Sequence, residues 1–121
     1  MRELTSHIVK AKVHCNEIVA LDEKGDGGAN HQYQVTITGH PLRAKFIKFQ
    51  NGPINDDNPP NGLQNEDLLA ILIDRMEGFQ SGKFACEENE LALFHLEAAM
   101  EALQTRTRDR VAREVEGSHE L

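Results

Sequence analysis

The sequence predicts an α+β fold: a small N-terminal antiparallel β-sheet followed by a long antiparallel two-helix hairpin. Three observations carry that reading. Apolar and polar residues alternate before Phe49, apolar residues recur at three- and four-residue spacing after Asn65, and an Asn-, Pro- and Gly-rich segment lies between. A chain of 121 residues can bury one core but hardly two, so a single domain over 1–121 is expected, with about 7–50 forming the sheet and about 65–113 the hairpin.

From His31 to Thr38, Tyr33, Val35 and Ile37 face one way and Gln32, Gln34, Thr36 and Thr38 the other, the period of a half-buried strand. Upstream, His7 to Leu21 carries Ile8, Val9, Val13, Ile18 and Val19. It reads as one long bent strand or two short ones, broken at Asn16-Glu17. Asp22 to Gly28 is charged and glycine-rich, which suits a loose hairpin tip. Arg43 to Phe49, holding Phe46, Ile47 and Phe49, is the third strand, and Gln50 to Gln64 is a connector.

Asn65 is placed as an N-cap, with Glu66 and Asp67 in the first helical turn, where exposed N–H groups favour negative charge. Leu68, Leu69, Leu72, Ile73, Met76 and Phe79 then form a helical stripe, and Ile71 widens it enough to suggest a subunit contact. The helix is expected to end near Gly78 to Gly82. The second helix is expected from about Cys86 to beyond Arg110, with Leu93, Leu96, Met100, Leu103 and Val111 in one row. Ala92, Ala98, Ala99 and Ala102 permit close helix approach.

The chain carries 13 Lys and Arg against 20 Asp and Glu, a net charge of −7. That balance excludes a general binder of DNA or RNA polymers, which need clustered positive charge. No apolar run approaches the roughly 18 residues of a membrane span, and no apolar signal region follows Met1 to His7, so no membrane partner and a cytoplasmic location are expected. Cys15 and Cys86 are too few and too far apart for a disulfide framework and read as free buried thiols. The 6 histidines show neither HxH nor HExxH spacing, so no metal site is expected. Gly25-Asp26-Gly27-Gly28 lacks the lysine and following helix of a phosphate loop. With no catalytic constellation, a non-enzyme is expected.

One local exception to the acidity remains. Gln104 to Arg113 holds four arginines and one aspartate, a window of +3 that leaves −10 elsewhere. On a helix Arg106, Arg110 and Arg113 share a face, while Arg108 points elsewhere. Two readings stand: guanidiniums converging on phosphate oxygens, or cations complementing a helix C-terminus and pairing with Glu114 and Glu116. Phe79 and Phe84 flank the interhelical turn, as a lid or as a platform for a base. Asn89, early in the second helix, suits either a cap or a contact to a base edge or ribose hydroxyl.

The runs Phe49 to Ile54, Asn61 to Ala70 and Asp74-Arg75 resemble the phage-encoded Thoeris anti-defence sponge family. Phe84 to Asn89, Leu91-Ala92-Leu93, Leu96 to Ala99, Arg106 to Arg110 and Val115 to His119 resemble the helical hairpin which that family shares with anti-CBASS cyclic-nucleotide sponges. The resemblance implies a non-catalytic protein, without a cofactor, that sequesters glycocyclic ADP-ribose made by TIR-domain proteins in the host bacterial cytoplasm. It implies a homo-oligomer, a dimer assembling to a hexamer, with a pocket between protomers. The ligand-binding residues carried over are Phe79, Asn89, Arg106 and Arg110, with Phe84 the other ring at the same turn. Cyclic di- or trinucleotides in a separate pocket are a further expectation, with Arg108 and Arg113 as candidate residues. The alternatives are a sponge for cyclic oligonucleotides only and a small nucleotide-cleaving enzyme.

Overall fold

A computed structural model describes residues 1–9 and 15–115. Val13, the Glu114 side chain and the residues from Glu116 to His119 considered above lie outside the described part. The chain divides into two compact units, one up to Gln64 and one from Asn65.

The first unit is a four-stranded antiparallel meander, β1 (Arg2–Leu4), β2 (Glu17–Ala20), β3 (Gln32–Thr36) and β4 (Ala44–Lys48), in the order β1-β2-β3-β4. Its register puts Leu4, Ile18 and Val35 in one cross-strand row and Ala20, Tyr33 and Ile47 in the next. These rows make one apolar face, over which Phe49 meets Tyr33 edge to face at 5.7 Å between ring centroids. The opposite face carries Glu3, Val19, Gln34 and Phe46. β1 differs from the expectation: three residues with no alternation of their own become a strand through their pairing with β2. β2 starts at Glu17, at the polar break, and covers four residues of the longer strand expected.

The segment between β2 and β3 is a built turn rather than a loose tip. The Asp22 carboxylate accepts the N–H groups of His31 at 3.0 Å and Gln32 at 3.2 Å, and the Asn30 amide donates to the Asp22 carbonyl at 2.6 Å. Arg2 Nη2 then donates to Asn30 Oδ1 at 2.7 Å, tying β1 to the same cluster. Asn30 and His31 are the two buried polar residues among those described. Burial acts to raise the pKa of Asp22, but the hydrogen bonds from His31, Gln32 and Asn30 outweigh it and hold the carboxyl below its ordinary value.

The connector after β4 closes on itself through side-chain amides. The Asn51 N–H donates to Asn61 Oδ1 and the Asn61 N–H to Gln50 Oε1, both at 2.8 Å, while Asn58 Nδ2 reaches the Pro53 carbonyl. Leu63 returns beside Phe49 as a parallel bridge, its N–H on the Lys48 carbonyl at 2.8 Å. The approach is so close that a Cβ on Gly62 would stand 2.5 Å from the Phe49 carbonyl carbon.

The second unit is the hairpin, α1 (Asn65–Gln80) and α2 (Glu87–Val115). α1 runs through Gly78 and stops where Ser81 Oγ donates to the Gly78 carbonyl. Leu93, Leu96, Met100 and Leu103 are half-buried along the α2 seam, while Leu91 and Phe94, on its outer side, remain exposed. Val111 departs from the expected row, being 52% exposed. The reason is length: α1 has 16 residues and α2 has 29. Thr107 Oγ1 already meets Glu66 Oε2 of the first turn of α1, at 3.4 Å, so the last turns of α2 run past the end of α1. Ala20 is the sole fully buried apolar residue among those described.

Two outcomes test this account. Gly62→Ala forces its methyl against backbone and is expected to lower stability by about 1–3 kcal/mol, read from the urea midpoint. Because the folded-state pKa of Asp22 is depressed, its contribution is present above the unfolded value near 4 and disappears as pH falls through the folded one. Wild type is therefore expected to lose stability in that acid window, and Asp22→Asn to be less stable at neutral pH with a flatter acid dependence.

Candidate functional site

The helical seam sorts the candidate residues into two ends. Asn89, Leu93, Leu96, Met100, Leu103, Thr107 and Arg110 follow the three- and four-residue spacing of one α2 row. The apolar members pack along the seam, while Asn89 and Arg110 stand at its two ends, each half-buried. Arg106 is exposed one turn before Arg110.

At the turn end, Phe79 closes α1 and is 38% exposed, while Phe84 in the turn is 65% exposed. Each ring lies beneath a cation: Arg75 Cζ is 5.4 Å from the Phe79 centroid, and Lys83 Nζ is 5.5 Å from that of Phe84. Asn89 Nδ2 donates to the Phe84 carbonyl at 3.3 Å, so its amide braces the turn and leaves Oδ1 as an acceptor. Gln80 Oε1 accepts the Cys86 N–H at 3.0 Å, and Cys86 Sγ accepts the Asn89 N–H at 3.4 Å. Cys86 thus serves as the cap of α2. This corrects the expectation of buried thiols: both cysteines are free, but Cys86 is exposed and Cys15 is half-buried. A thiol that caps a helix must stay at its open end.

At the other end, Arg106, Arg110 and Arg113 make no ion pair or hydrogen bond with any described residue. Arg108 is turned away, its Nη2 donating to Thr105 Oγ1 at 3.1 Å. Asn89 and Arg106 are 17 positions apart on one helix, about 26 Å at 1.5 Å per residue. An ADP-ribose-sized molecule does not bridge that gap, so one chain does not bring its own Phe79 and Asn89 to its own Arg106 and Arg110.

The open groove on the outer side of α2, about 430 Å³, is lined by Phe94, Glu97, Ala98 and Glu101. Its two carboxylates repel phosphate and separate it from the arginine site. Among the described residues no group of three or more His, Cys, Asp or Glu is placed to hold a metal ion, and no helix is long and apolar enough to cross a membrane.

Residues 42–108 match the family described as Acb2/Tad1, hairpin domain. The chain belongs to the Acb2/Tad1 hairpin-domain family. The match takes in β4, the connector, α1 and most of α2, including Phe79, Asn89, Arg106 and Arg108. Arg110 and Arg113 lie just beyond it. Thoeris anti-defense 1 of Bacillus phage SBSphiJ7 is 38% identical over 94 residues, which span 78% of this chain and 66% of that protein.

Within the Acb2/Tad1 hairpin, sequence reasoning missed the Arg75 contact and the capping role of Cys86. The signals were the i, i+4 spacing of Arg75 and Phe79 and the position of Cys86 just before three acidic residues, Glu87, Glu88 and Glu90. If Cys86 is the open cap described, Ellman's reagent added without denaturant is expected to titrate it first. Cys86→Ser is expected to abolish that fast phase, and Cys15 to follow more slowly.

Proposed function

We propose that the chain is a non-catalytic anti-Thoeris sponge, phage- or prophage-encoded, that binds glycocyclic ADP-ribose in the host cytoplasm and keeps it from the immune effector. The observation that carries this reading is the similarity to Thoeris anti-defense 1 over 94 residues with the hairpin-domain match over residues 42–108, joined to two arginines one helical turn apart that pair with no described residue. The ligand is a dianion with a purine base, and Arg106 and Arg110 suit its phosphates through charge-assisted, bidentate hydrogen bonds. Phe79 offers a ring for the base, and Asn89 Oδ1 an acceptor for a ribose hydroxyl or a base edge.

The pocket is proposed to lie between two copies, one contributing Phe79 and Asn89 and its partner the two arginines, in a dimer that assembles further to a hexamer. The span along α2 supports this sharing. No residue of the set is an activated nucleophile or a paired acid and base, which fits capture without turnover. Arg108, on another side of the helix, and Arg113, about one turn beyond Arg110 on the same face, remain the candidates for a separate pocket that takes cyclic di- or trinucleotides.

Titration calorimetry with glycocyclic ADP-ribose is expected to show tight binding, and heating the complex to release the ligand with unchanged mass. Arg106→Ala with Arg110→Ala is expected to weaken binding by at least about a hundredfold, with the far-UV circular dichroism unchanged. A product of altered mass would make the protein an enzyme, and binding that survives the double change would put the phosphates elsewhere.

A further inference from the structure

Arg75 stands one helical turn before Phe79, and its guanidinium lies 5.4 Å from the centre of that ring. It makes no hydrogen bond or ion pair with any described residue. The reason is visible in the sequence: the α1 positions three and four residues away are Ile71, Leu72, Gly78 and Phe79, so the neighbours that meet on a helix surface offer no carboxylate. In a chain with 20 acidic side chains against 13 basic ones, this exposed arginine is left with an aromatic face as its sole partner among the described residues.

A ring face that holds a guanidinium is also the face on which a planar base stacks, and one face takes one occupant at contact distance. A base that enters on the face Arg75 covers therefore displaces the guanidinium, which stays tethered one turn away. The phosphates joined to that base bring acceptor oxygens in the geometry that an arginine fork matches. The exchange replaces a contact with an uncharged ring by one between opposite charges. No other arginine of the same hairpin serves this end, because Arg106 is about 26 Å from Asn89 along α2.

We propose that Arg75 is a further ligand-binding residue: as a nucleobase stacks on Phe79, the Arg75 guanidinium leaves the ring and donates to a phosphate oxygen of the same nucleotide. The assignment rests on the nucleotide-binding reading above.

The test is calorimetry with glycocyclic ADP-ribose on the full chain, comparing wild type, Arg75→Ala and Arg75→Lys at low and at high salt, with circular dichroism to confirm the fold. Arg75→Ala is expected to bind about ten- to a hundredfold more weakly at low salt, with the gap narrowing at high salt as screening weakens the ionic contact. Arg75→Lys, which keeps the charge but not the fork, is expected to fall between. Wild-type binding that Arg75→Ala leaves unchanged or tightens, or a loss that does not depend on salt, overturns the role of Arg75 alone. A wild-type protein that binds no ligand overturns the nucleotide reading and this assignment together.

Discussion

The half-buried row of Leu93, Leu96, Met100 and Leu103 along the α1–α2 seam sets where the candidate ligand groups stand. A helix is a rod of fixed rise, so once these side chains are held in the seam, Asn89 is fixed at the turn and Arg110 at the overhang. The unequal helix lengths do the rest. Thr107 meets the first turn of α1 through Glu66, so Arg110 and Arg113 project past the seam on a stretch of α2 that the shorter helix does not cover. An α1 two turns longer would pack that stretch and remove its arginines from any ligand.

The same seam leaves much apolar surface uncovered. Phe94 is 64% exposed and Ile71 is 56% exposed, while Ala20 is the one apolar residue among those described to lose all contact with water. A side chain half in water gains about half of the roughly 1.5–3 kcal/mol that full burial gives, so neither unit reaches the burial of an ordinary core within one chain. The sheet unit compensates with polar anchoring: Arg2, Asp22, Asn30 and the backbone of His31 and Gln32 form one hydrogen-bonded cluster at the strand ends. For the hairpin no comparable polar network is present among the described residues, and pairing with a second copy, the arrangement proposed for the ligand pocket, would act on that exposed surface as well.

Legibility followed the range of the forces. The strict alternation of Tyr33, Val35 and Ile37 and the leucine spacing of both helices act locally, and the corresponding elements, β3, α1 and α2, lie where that periodicity puts them. β1 was not legible, because Arg2-Glu3-Leu4 becomes a strand only through pairing with residues 14 or more positions away. The turn at Asp22 looked loose from its glycines, yet its carboxylate is held by N–H groups nine and ten residues on. Val111 fits the periodic row but meets no α1, a matter of relative helix length that spacing does not encode. In the site, the cluster of arginines and the rings at the turn were visible as residue types. Their separation along one helix became meaningful only once α2 was known to be continuous from Glu87 to Val115.

The arginine cluster is held under two opposing electrostatic influences. Arg113, in the last turn of α2, is favoured by the macrodipole by about 0.3–1 kcal/mol, an effect that falls off before Arg110 and Arg106, and the acidic first turn, Glu87, Glu88 and Glu90, complements the other end. Yet Arg106 and Arg110 are like charges at i, i+4, a spacing that costs about 0.2–0.5 kcal/mol, and no described carboxylate relieves them. The dipole reading therefore accounts for Arg113, but not for Arg106 and Arg110 standing on one face without a counter-ion among the described residues. An anion placed between the two guanidiniums turns the repulsion into attraction while leaving the dipole contribution intact. Ligand binding and hairpin stability are then linked, since whatever occupies the arginines favours the folded helix over the unfolded chain.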